Sequence, residues 1–406
     1  MTSSATYAHR NIAVLTTAQA LGAASPPIVV SLGGLVGQSL SPDPALVTLP
    51  VSLFNLGLAL GTLPAAFIMR RLGRRNGYLV GTMFGFLAGL IAASGIAAAS
   101  FILFCFGTFT AGFYAAYVQS YRFAAADSAS GAIIAKAISW VMVGGLVAAV
   151  IGPQLVIRTR DALPATPFAG SFLNQAALAL LAVPVLMMLR APKPETQSIS
   201  NSGNGRTLGE ILRNPRFVLA VAAGVVSYGL MTFVMTAAPM AMVGHGHSID
   251  HAALGIQWHV LAMFAPSFVT GYLITKFGKE RVTALGLLLI AISAAVALAG
   301  LEIVHFWVSL IILGIGWNFG FIGATTMVAD CHTPEERSKV QGANDFVVFG
   351  VVAAAAFFSG SLLHASGWAT INWLIFPAVA FVLVPLVWRA AREGIPSEKN
   401  PQTRAS

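Results

Sequence analysis

A ten-residue phrase occurs twice in this chain, half a chain length apart. The first copy, Ala66–Arg75, reads AFIMRRLGRR, and the second copy, Gly271–Glu280, reads GYLITKFGKE. Their starting points differ by 271 − 66 = 205 residues in a chain of 406. A second pair, Asp127 and Asp330, each preceded by alanine, is offset by 330 − 127 = 203 residues. Repetition of short polar loops at half the chain length indicates two copies of one membrane unit.

The composition places most of the chain in a lipid bilayer. Hydrophobic residues make up 57% of the sequence and charged residues 9%, whereas a soluble domain carries about 25% charge. So few charges cannot cover a globule of this size in water. The net charge of +9 lies in short clusters between apolar runs rather than on one basic face, which argues against a nucleic-acid partner. We therefore expect membrane lipid to surround the protein.

Twelve apolar runs are long enough to cross a membrane, since a helix needs roughly 20 apolar residues to span the hydrocarbon core. These runs, called spans 1 to 12 below, cover about residues 12–35, 46–69, 77–97, 100–121, 134–157, 170–189, 216–243, 253–275, 282–301, 304–328, 342–364 and 368–388. The sequence therefore predicts an all-α integral membrane protein. Its twelve transmembrane helices are expected to form two pseudo-symmetric six-helix bundles.

One connector separates the two predicted bundles. The segment between Pro192 and Arg213 is rich in Ser, Asn and Gly, a composition typical of flexible linkers. The predicted organisation is an N-terminal bundle at 1–191, a cytoplasmic linker at 192–214, a C-terminal bundle at 215–390 and a cytoplasmic tail at 391–406.

The distribution of basic residues predicts the orientation. Of the 23 Lys and Arg residues, only Arg158 and Arg160 fall in loops after odd-numbered spans. The other 23 − 2 = 21 lie on the side that carries both termini. The positive-inside rule places that side in the cytoplasm. We therefore expect a multi-pass protein of the bacterial inner (plasma) membrane with both termini cytoplasmic.

The loop after span 2 resembles a signature of the major facilitator superfamily, GxLADRxGRR. The matching positions are Arg71, Gly73, Arg74 and Arg75. Arg70 occupies the position of the Asp that helps to latch the two bundles in that family. In the second copy the matching positions are Gly271, Lys276, Gly278 and Lys279. With the twelve spans and the half-length repeat, these matches make the chain similar to the superfamily over its whole length. The resemblance implies a secondary active transporter that works by alternating access.

Two further resemblances favour opposite directions of transport. Gly152-Pro153 in span 5 matches the core of a pattern typical of drug–proton antiporters, which implies proton-coupled efflux of a drug or metabolite. The strings Gly314–Thr326, Gln341–Gly350 and Gln119–Asp127 are similar to a branch of bacterial carriers that includes proposed riboflavin importers. We follow the second resemblance and expect uptake of a small aromatic solute such as riboflavin, with protons as the candidate coupling ion.

The resemblance also implies that spans 1, 4, 7 and 10 line a central cavity, where the substrate sites of such carriers lie. Polar and aromatic residues fall at helical spacing on spans 4, 7 and 10. Aromatic faces together with amide and hydroxyl groups suit a planar, polar, heteroaromatic solute. The predicted substrate-binding residues are Gln19, Tyr114, Tyr117, Tyr228, Thr232, His259, Trp317 and Asn318. The alternative interpretation is close packing between membrane helices, which small polar residues also serve.

Histidines suggest two further hypotheses. His259 lies inside span 8, where an ionisable group is a functional candidate. It could couple transport to protons, or serve as a neutral hydrogen-bonding group. The loop after span 7 contains four side chains of metal-ligating type, namely His245, His247, Asp250 and His251. A water-exposed loop without a metal is the favoured interpretation of that loop.

Charged residues at the cytoplasmic ends of the spans are predicted to form a gate. Asp345 lies shortly inside span 11 and is expected to pair with the arginines after span 2, Arg74 among them. The predicted gating residues are Arg71, Gly73, Arg74, Arg75, Gly278, Lys279 and Asp345. A proton site is the second interpretation of Asp345.

Motifs of other functional classes are absent from the sequence. It contains no GxSxG, no HExxH and no carboxylate cluster within a span, so we expect no enzymatic activity and no cofactor. It also contains no GxxxxGK[ST], so ATP is not the expected direct energy source. The alternative of another class is a non-transporting membrane receptor or scaffold, but such proteins usually carry long extramembrane domains. A monomer that binds a small-molecule substrate is the expectation.

Overall fold

Helices make up all the regular structure in the part of the chain that the computed structural model describes, residues 2–128, 133–190, 206–333 and 336–393. The helices of the N-terminal half are α1 Thr2–Gly22, α2 Ser25–Leu40, α3 Leu49–Ala97, α4 Phe101–Gln119, α5 Tyr121–Asp127, α6 Ile133–Thr159 and α7 Ala169–Met187, with a 3₁₀ turn at Pro44–Leu46. Those of the C-terminal half are α8 Leu208–Leu212, α9 Pro215–Gly244, α10 Ile249–Phe264, α11 Ser267–Phe277, α12 Lys279–Ala299, α13 Ile303–Ala329, α14 Arg337–Trp373 and α15 Ile375–Glu393.

Nine helical segments of the described chain are long and apolar enough to cross a membrane, and the bent pair α10 and α11, which meet at 42°, raises the number to as many as ten. Two of the nine segments, 44–97 and 340–389, contain 54 and 50 residues. A single crossing needs roughly 20 residues, so each is about twice as long as one crossing requires. The expectation of an all-α, multi-pass membrane protein is confirmed.

Glycines interrupt both long segments at their turning points. Gly73 in α3 has φ 78° and ψ 160°, and Gly367 in α14 has φ 78° and ψ 177°. Residues with a Cβ rarely adopt this backbone region, whereas glycine adopts it without steric strain. Gly73 is the glycine in the first copy of the repeated phrase, and it is one of the positions that match the signature. Its backbone conformation explains the need for glycine there.

Prolines explain two breaks that the apolar pattern did not predict. Span 1 is divided into α1 and α2, and Pro26 and Pro27 lie in the first turn of α2. Span 8 is divided into α10 and α11, and Pro266 is the residue before α11. Proline has no backbone N–H and clashes with the preceding turn, so it begins a helix more readily than it continues one.

Buried side chains form two clusters that follow the two halves of the chain. The first draws nearly all its members from Ile12 to Leu189, and the second nearly all from Ile211 to Leu386. Glycine allows helices to come close together inside each half. A Cβ added to Gly112 would lie 2.1 Å from the carbonyl oxygen of Phe54, and one added to Gly286 would lie 2.2 Å from the backbone nitrogen of Gly320. Membrane helices commonly approach each other through such small residues.

The helix ends define two faces of the molecule. The linker face carries Gly73, Asp127, Arg206, Gly278 and Glu336, and the opposite face carries the connections 41–48, 98–100, 160–168, 245–248 and 300–302. Side chains near the opposite face join the two halves. The hydroxyls of Thr48 and Ser52 in the N-terminal half donate to carbonyls of α14, those of Phe357 at 2.9 Å and Ala353 at 2.7 Å.

A second set of contacts joins the halves near the same face, between α6 and α10. The Gln154 amide donates to the side-chain oxygen of Gln257 at 3.0 Å, and Arg160 forms an ion pair with Asp250. With the Thr48 and Ser52 bonds, these contacts form what we call the opposite-face clasp. Several ion pairs of the linker face, by contrast, join residues of one half only.

Candidate functional site

Aromatic side chains from several helices of the C-terminal half meet in one cluster. The Tyr228 ring of α9 lies 5.4 Å from Trp317, 5.0 Å from Phe321 and 5.9 Å from Phe349, edge to face in each case. Trp317 and Phe321, one turn apart on α13, are stacked at 5.5 Å with an interplanar angle of 15°. Phe264, the last residue of α10, contacts Trp317 at 6.3 Å. These five residues are called the aromatic cluster below.

The aromatic cluster lies where the two halves meet. Phe349 also packs against the hydrophobic core of the N-terminal half, although it belongs to α14. Tyr228, Phe321 and Phe349 are half-buried, so their rings retain exposed surface. Edge-to-face and offset-stacked rings are the arrangements that aromatic groups prefer. A planar heteroaromatic molecule could add to this cluster in the same geometries.

Polar groups border the aromatic cluster. The indole nitrogen of Trp317 is buried and has no hydrogen-bond partner in the described structure, and buried indole N–H groups usually have one. Arg122 of α5 lies near enough to Tyr228 and Asp345 to interact with both electrostatically. Arg122 and Asp345 are both exposed. The arrangement offers aromatic surface, one unpaired donor, one cation and one anion.

His259 lies inside the C-terminal half rather than on an open surface. Its side chain is fully buried, and its Nδ1 lies 2.7 Å from the carbonyl oxygen of Leu310 on α13. A carbonyl only accepts hydrogen bonds, so Nδ1 carries the proton in this contact. Nε2 is buried without a partner in the described structure. The geometry fixes the orientation of the ring against α13.

Asn318 holds the break between α10 and α11. Its amide nitrogen donates to the Met263 carbonyl at 2.6 Å and to the Ser267 hydroxyl at 2.7 Å. Its amide oxygen accepts from the Thr270 hydroxyl at 2.6 Å. The break at Pro266 frees backbone carbonyls that need other donors. Asn318 is fully buried in this role and therefore points away from its neighbour Trp317.

The tyrosines of α4 are packed inside the N-terminal half. A Cβ added to Gly22 or Gly85 would lie 2.9 Å or closer to Tyr114, and one added to Gly81 would lie 2.7 Å from Tyr117. Tyr117 also stacks on Phe84 at 6.2 Å. The stripe at helical spacing thus meets glycines of α1 and α3. The structure does not bring Tyr114 and Tyr117 to the aromatic cluster that contains Tyr228 and Trp317.

The other two predicted substrate-binding residues, Gln19 and Thr232, are at least half-buried. Gln19 of α1 is half-buried, and its Cβ lies 3.0 Å from the position that a Cβ on Gly144 of α6 would occupy. Thr232 of α9 is buried, and its hydroxyl has no partner in the described structure. Of the eight residues predicted from sequence, Tyr228 and Trp317 are those that the structure brings into direct ring contact.

Three members of the aromatic cluster, Phe264, Phe321 and Phe349, and the adjacent Arg122 were not predicted as site residues. Phe321 lies four positions after Trp317, so it shares a helix face with it, and this spacing could have identified it. Arg122 and Phe349 lie within the strings that resemble a carrier branch. Phe264 has no comparable signal, because its position depends on the break at Pro266.

The predicted gating residues lie on the linker face in equivalent arrangements. Arg74 forms an ion pair with Asp127, and Lys279 forms one with Asp330. Gly278, like Gly73, has a positive φ, 87°. Arg71 stacks on Phe67 at 4.4 Å, and Arg75 is exposed. Asp345 accepts a hydrogen bond from the Asn344 amide at 3.1 Å. Its predicted partner, Arg74, forms an ion pair with Asp127 in this conformation.

The side chains of the loop after span 7 each have separate partners. His245 Nδ1 contacts the Ala241 carbonyl at 2.7 Å, and His247 Nε2 contacts the Leu301 carbonyl at 2.8 Å. Asp250 pairs with Arg160, and the His251 ring lies edge to face with Trp307. The described residues include no group of three or more metal-ligating side chains at metal-binding distance.

A salt bridge attaches the end of the linker to the C-terminal half. Arg206 donates from Nε and Nη2 to the two carboxylate oxygens of Glu336, at 2.9 Å and 2.8 Å. Its Nη2 also donates to the Cys331 carbonyl at 2.9 Å. The bonds from Arg206, followed by the Thr333 backbone N–H, lower the pKa of Glu336 to about 2. Bidentate arginine–carboxylate pairs are geometrically specific, so the linker end has a defined position.

Comparisons with known proteins agree over nearly the whole chain. A protein of Brucella anthropi named riboflavin transporter RfnT is 72% identical over 394 residues, which cover 97% of this chain and 99% of that protein. The uncharacterized MFS-type transporter YdeG of Bacillus subtilis is 30% identical over 400 residues, with coverages of 94% and 92%. The crystal structure of a POT family transporter in complex with 5-aminolevulinic acid has a TM-score of 0.76 at 13% identity, with coverages of 94% and 96%. That last likeness shows a shared fold.

The family assignment combines these results with the geometry. A family model of the Major Facilitator Superfamily matches residues 12–265 and 221–406. The repeated phrase and the all-helical, membrane-crossing structure agree with that match. The chain therefore belongs to the Major Facilitator Superfamily, a family of secondary transporters that span the membrane many times.

Proposed function

We propose that this protein imports riboflavin across the bacterial inner membrane by alternating access. The observation that carries the proposal is the 72% identity, over nearly the full length of both chains, to a protein named as a riboflavin transporter. The aromatic cluster supports it, because the isoalloxazine ring of riboflavin is a planar heteroaromatic system that stacks on aromatic side chains. The uncharged vitamin also suits a site with one cation and one anion.

The transport architecture that we propose has twelve membrane helices in two bundles related by a pseudo-two-fold axis. Counting each of the two long segments as two crossings, and the bent pair as one, raises the nine apolar segments to twelve. The two buried clusters support one bundle at 1–191 and another at 215–390, joined by the linker at 192–214 and followed by the tail at 391–406. Membrane lipid surrounds the bundles, and the transporter functions as a monomer.

The linker face is the cytoplasmic face in this proposal, because the predicted spans put 21 of the 23 Lys and Arg residues on the side of the termini. The opposite-face clasp then closes the outer side, which corresponds to an inward-facing conformation. Reporter enzymes fused within 192–205 and after Ser406 test the orientation. Cytoplasmic activity is expected from both fusions, and a periplasmic signal from either would reverse the assignment.

The substrate site is proposed at the aromatic cluster, with Tyr228 and Trp317 in direct contact with the ring system. Gln19, Tyr114, Tyr117, Thr232, His259 and Asn318 support the helices around it in the inward-facing state, through the packing contacts described above. The linker-face residues Arg71, Arg74, Arg75, Lys279 and Asp345 form the inner gate, with Gly73 and Gly278 at its turns. Pairing between the arginines and Asp345 is proposed for the outward-facing state. Protons are the proposed coupling ion.

Growth of a riboflavin-auxotrophic bacterium tests the function. Cells that express the protein should grow on low external riboflavin and accumulate radiolabelled vitamin, whereas cells with an empty vector should not. The matched control is Trp317→Ala, which removes an aromatic face from the proposed site, expressed to the same membrane level. Lack of rescue by the well-expressed wild type would reject the import of riboflavin.

Efflux is the second candidate, favoured by Gly152-Pro153. A Cβ added to Gly152 would lie 2.7 Å from the Ala24 carbonyl oxygen, at the break in span 1, so the Gly-Pro pair forms a tight contact with a helix of the proposed cavity. Vesicles of both orientations separate the two directions. Accumulation of riboflavin, or of an aromatic drug, only in inside-out vesicles driven by a proton gradient would support efflux.

A further inference from the structure

The charges next to the aromatic cluster are opposite in sign and come from opposite halves of the chain. Arg122 lies on α5 of the N-terminal half, and Asp345 lies on α14 of the C-terminal half. Asp345 precedes Phe349 by one helical turn, so the carboxylate and the ring share one face of α14. The same face meets the N-terminal half, since Phe349 packs against that core. Asp345 therefore lies beside the aromatic cluster, and Arg122 is near enough to Asp345 and Tyr228 to interact with both electrostatically.

Both side chains are exposed although their helices are packed on other sides. The residues flanking Arg122 on the inner side of α5, Tyr121 and Ala125, are fully buried, whereas Arg122 is exposed. Asn344 and Val348 are buried beside the exposed Asp345. The guanidinium lies 4.8 Å from the Phe123 ring centroid, and the carboxylate accepts one bond, from Asn344. Donors on Arg122 and acceptor positions on Asp345 therefore remain available to a solute.

We propose that Arg122 and Asp345 determine specificity as a pair of opposite charges at one end of the site. This pair accepts the neutral flavin and excludes its phosphate ester. The inference rests on the proposed function, because it concerns the same site. The ribityl chain of riboflavin carries hydroxyl groups, and the phosphate ester of flavin mononucleotide is formed on the last of them. Arg122 supplies donors to hydroxyl oxygens at this end of the ligand, and Asp345 accepts from a hydroxyl there, as charge-assisted hydrogen bonds.

The anion-excluding role belongs to Asp345. A phosphate ester carries about −1.5 to −2 charge near neutral pH, and arginine is well suited to bind phosphate. An uncompensated Arg122 would therefore attract the phosphorylated flavin. The Asp345 carboxylate neutralises Arg122 and repels the phosphate. Loss of Asp345 should thus improve the binding of the phosphorylated flavin while that of the neutral vitamin changes less.

Equilibrium binding to the full-length protein in nanodiscs tests this inference, with flavin fluorescence quenching as the signal. The ligands are riboflavin, lumiflavin, which has the ring system without the ribityl chain, and flavin mononucleotide. The wild type should bind riboflavin and lumiflavin and discriminate against flavin mononucleotide. Asp345→Asn should reduce the affinity ratio of riboflavin to flavin mononucleotide by about tenfold or more. Asp345→Glu keeps the charge and should keep the discrimination.

Two further variants complete the test. Arg122→Gln should weaken the binding of riboflavin and flavin mononucleotide, since the ribityl end loses its charged donors, and should change the binding of lumiflavin much less. Glu302→Gln removes an exposed carboxylate at the opposite face and should leave every affinity unchanged. An unchanged ratio in Asp345→Asn would overturn the inference while leaving the transport of riboflavin intact. A wild type that binds no riboflavin would instead overturn the proposed function, and this inference with it.

Discussion

Arg74 forms an ion pair with Asp127, and both residues have counterparts half a chain later, Lys279 and Asp330, which form the same pair. In each half the pair joins the turn of the repeated phrase to the end of the second span after that turn, span 4 or span 10. The two repeated phrases, offset by 205 and 203 residues, therefore supply the two partners of an ion pair that each half forms. The repeat is structural as well as sequential.

The two pairs should contribute unequally to stability. The side chains of Arg74 and Asp127 are 33% and 61% exposed, whereas those of Lys279 and Asp330 are 18% and 42% exposed. Asp330 also lies 3.8 Å from Arg216. Exposed pairs contribute about 0–1 kcal/mol, and burial reduces solvent screening. Asp330→Asn should lower the thermal unfolding temperature more than Asp127→Asn, and high salt should reduce the difference. Equal shifts would contradict this ranking.

Trp317→Ala should weaken the binding of riboflavin by removing a ring from the aromatic cluster. An aromatic pair contributes about 0.5–1.5 kcal/mol beyond burial, which corresponds to about a 2- to 13-fold rise in Kd. Flavin fluorescence quenching measures that change. Trp258→Ala is the matched control, since Trp258 is 41% exposed on a membrane helix. The same loss in both variants would argue against a specific role for Trp317.

Asn318→Ala should destabilise the protein without a ligand present. The variant leaves the Met263 carbonyl without the donor that it has now, and an unsatisfied buried polar group costs about 1–3 kcal/mol. Thermal unfolding of the ligand-free protein measures the effect. Thr325→Ala, which removes an exposed hydroxyl of the same helix, should change little. A variant of unaltered stability with weakened flavin binding would support direct substrate contact instead.

Acid should release the linker end from the C-terminal half. The pKa of Glu336 is lowered to about 2 by Arg206, from about 4.3 in an unfolded chain. Because the folded pKa is the lower one, the stabilisation is fully present above the unfolded value and is lost as pH falls towards 2. Hydrogen exchange of residues 206–214, corrected for its intrinsic pH dependence, should increase across that window. Glu336→Gln should show raised exchange throughout and no further change with acid.

Asp250→Asn should favour the conformation that is open at the opposite face. Asp250 pairs with Arg160 across the two halves, so its loss weakens the clasp. Asp161→Asn is the matched control, because Asp161 contacts the same guanidinium at 2.9 Å from within the same half. Electron-resonance distances between spin labels on the opposite face should lengthen in Asp250→Asn alone. A shift of similar size in Asp161→Asn would mean that the pair does not hold the halves together.

Much of the fold was predictable because the bilayer imposes a simple pattern on the sequence. Apolar length and the half-length repeat predicted an all-helical, multi-pass protein, and the loop signature predicted its family. The breaks at Pro26-Pro27 and Pro266 were harder, since membrane helices often tolerate proline and its effect depends on which neighbours satisfy the freed carbonyls. Asn318 is the donor that meets that need in span 8.

The candidate site was only partly predictable, because helical spacing identifies a face but not the helix that it meets. Tyr114 and Tyr117 share a face as expected, but glycines on α1 and α3 leave space for their rings inside the N-terminal half. Among the described glycines none lies against Tyr228 or Trp317 in this way, and these two side chains remain beside other aromatic rings. Combining the aromatic stripe of one helix with the glycine pattern of the others would have separated the two cases.

The clasp bonds made by Thr48 and Ser52 have a consequence for how the two halves can diverge. Both hydroxyls bind backbone carbonyls of α14, at Phe357 and Ala353, and every amino acid provides a carbonyl. Drift of the α14 side chains therefore leaves these acceptors in place, as long as the helix persists and fits beside α3. The donor side has no such freedom, because it requires a hydroxyl at two fixed positions. Substitutions should therefore be tolerated more readily at the α14 side of this contact than at positions 48 and 52 of the N-terminal half, which must keep a hydroxyl.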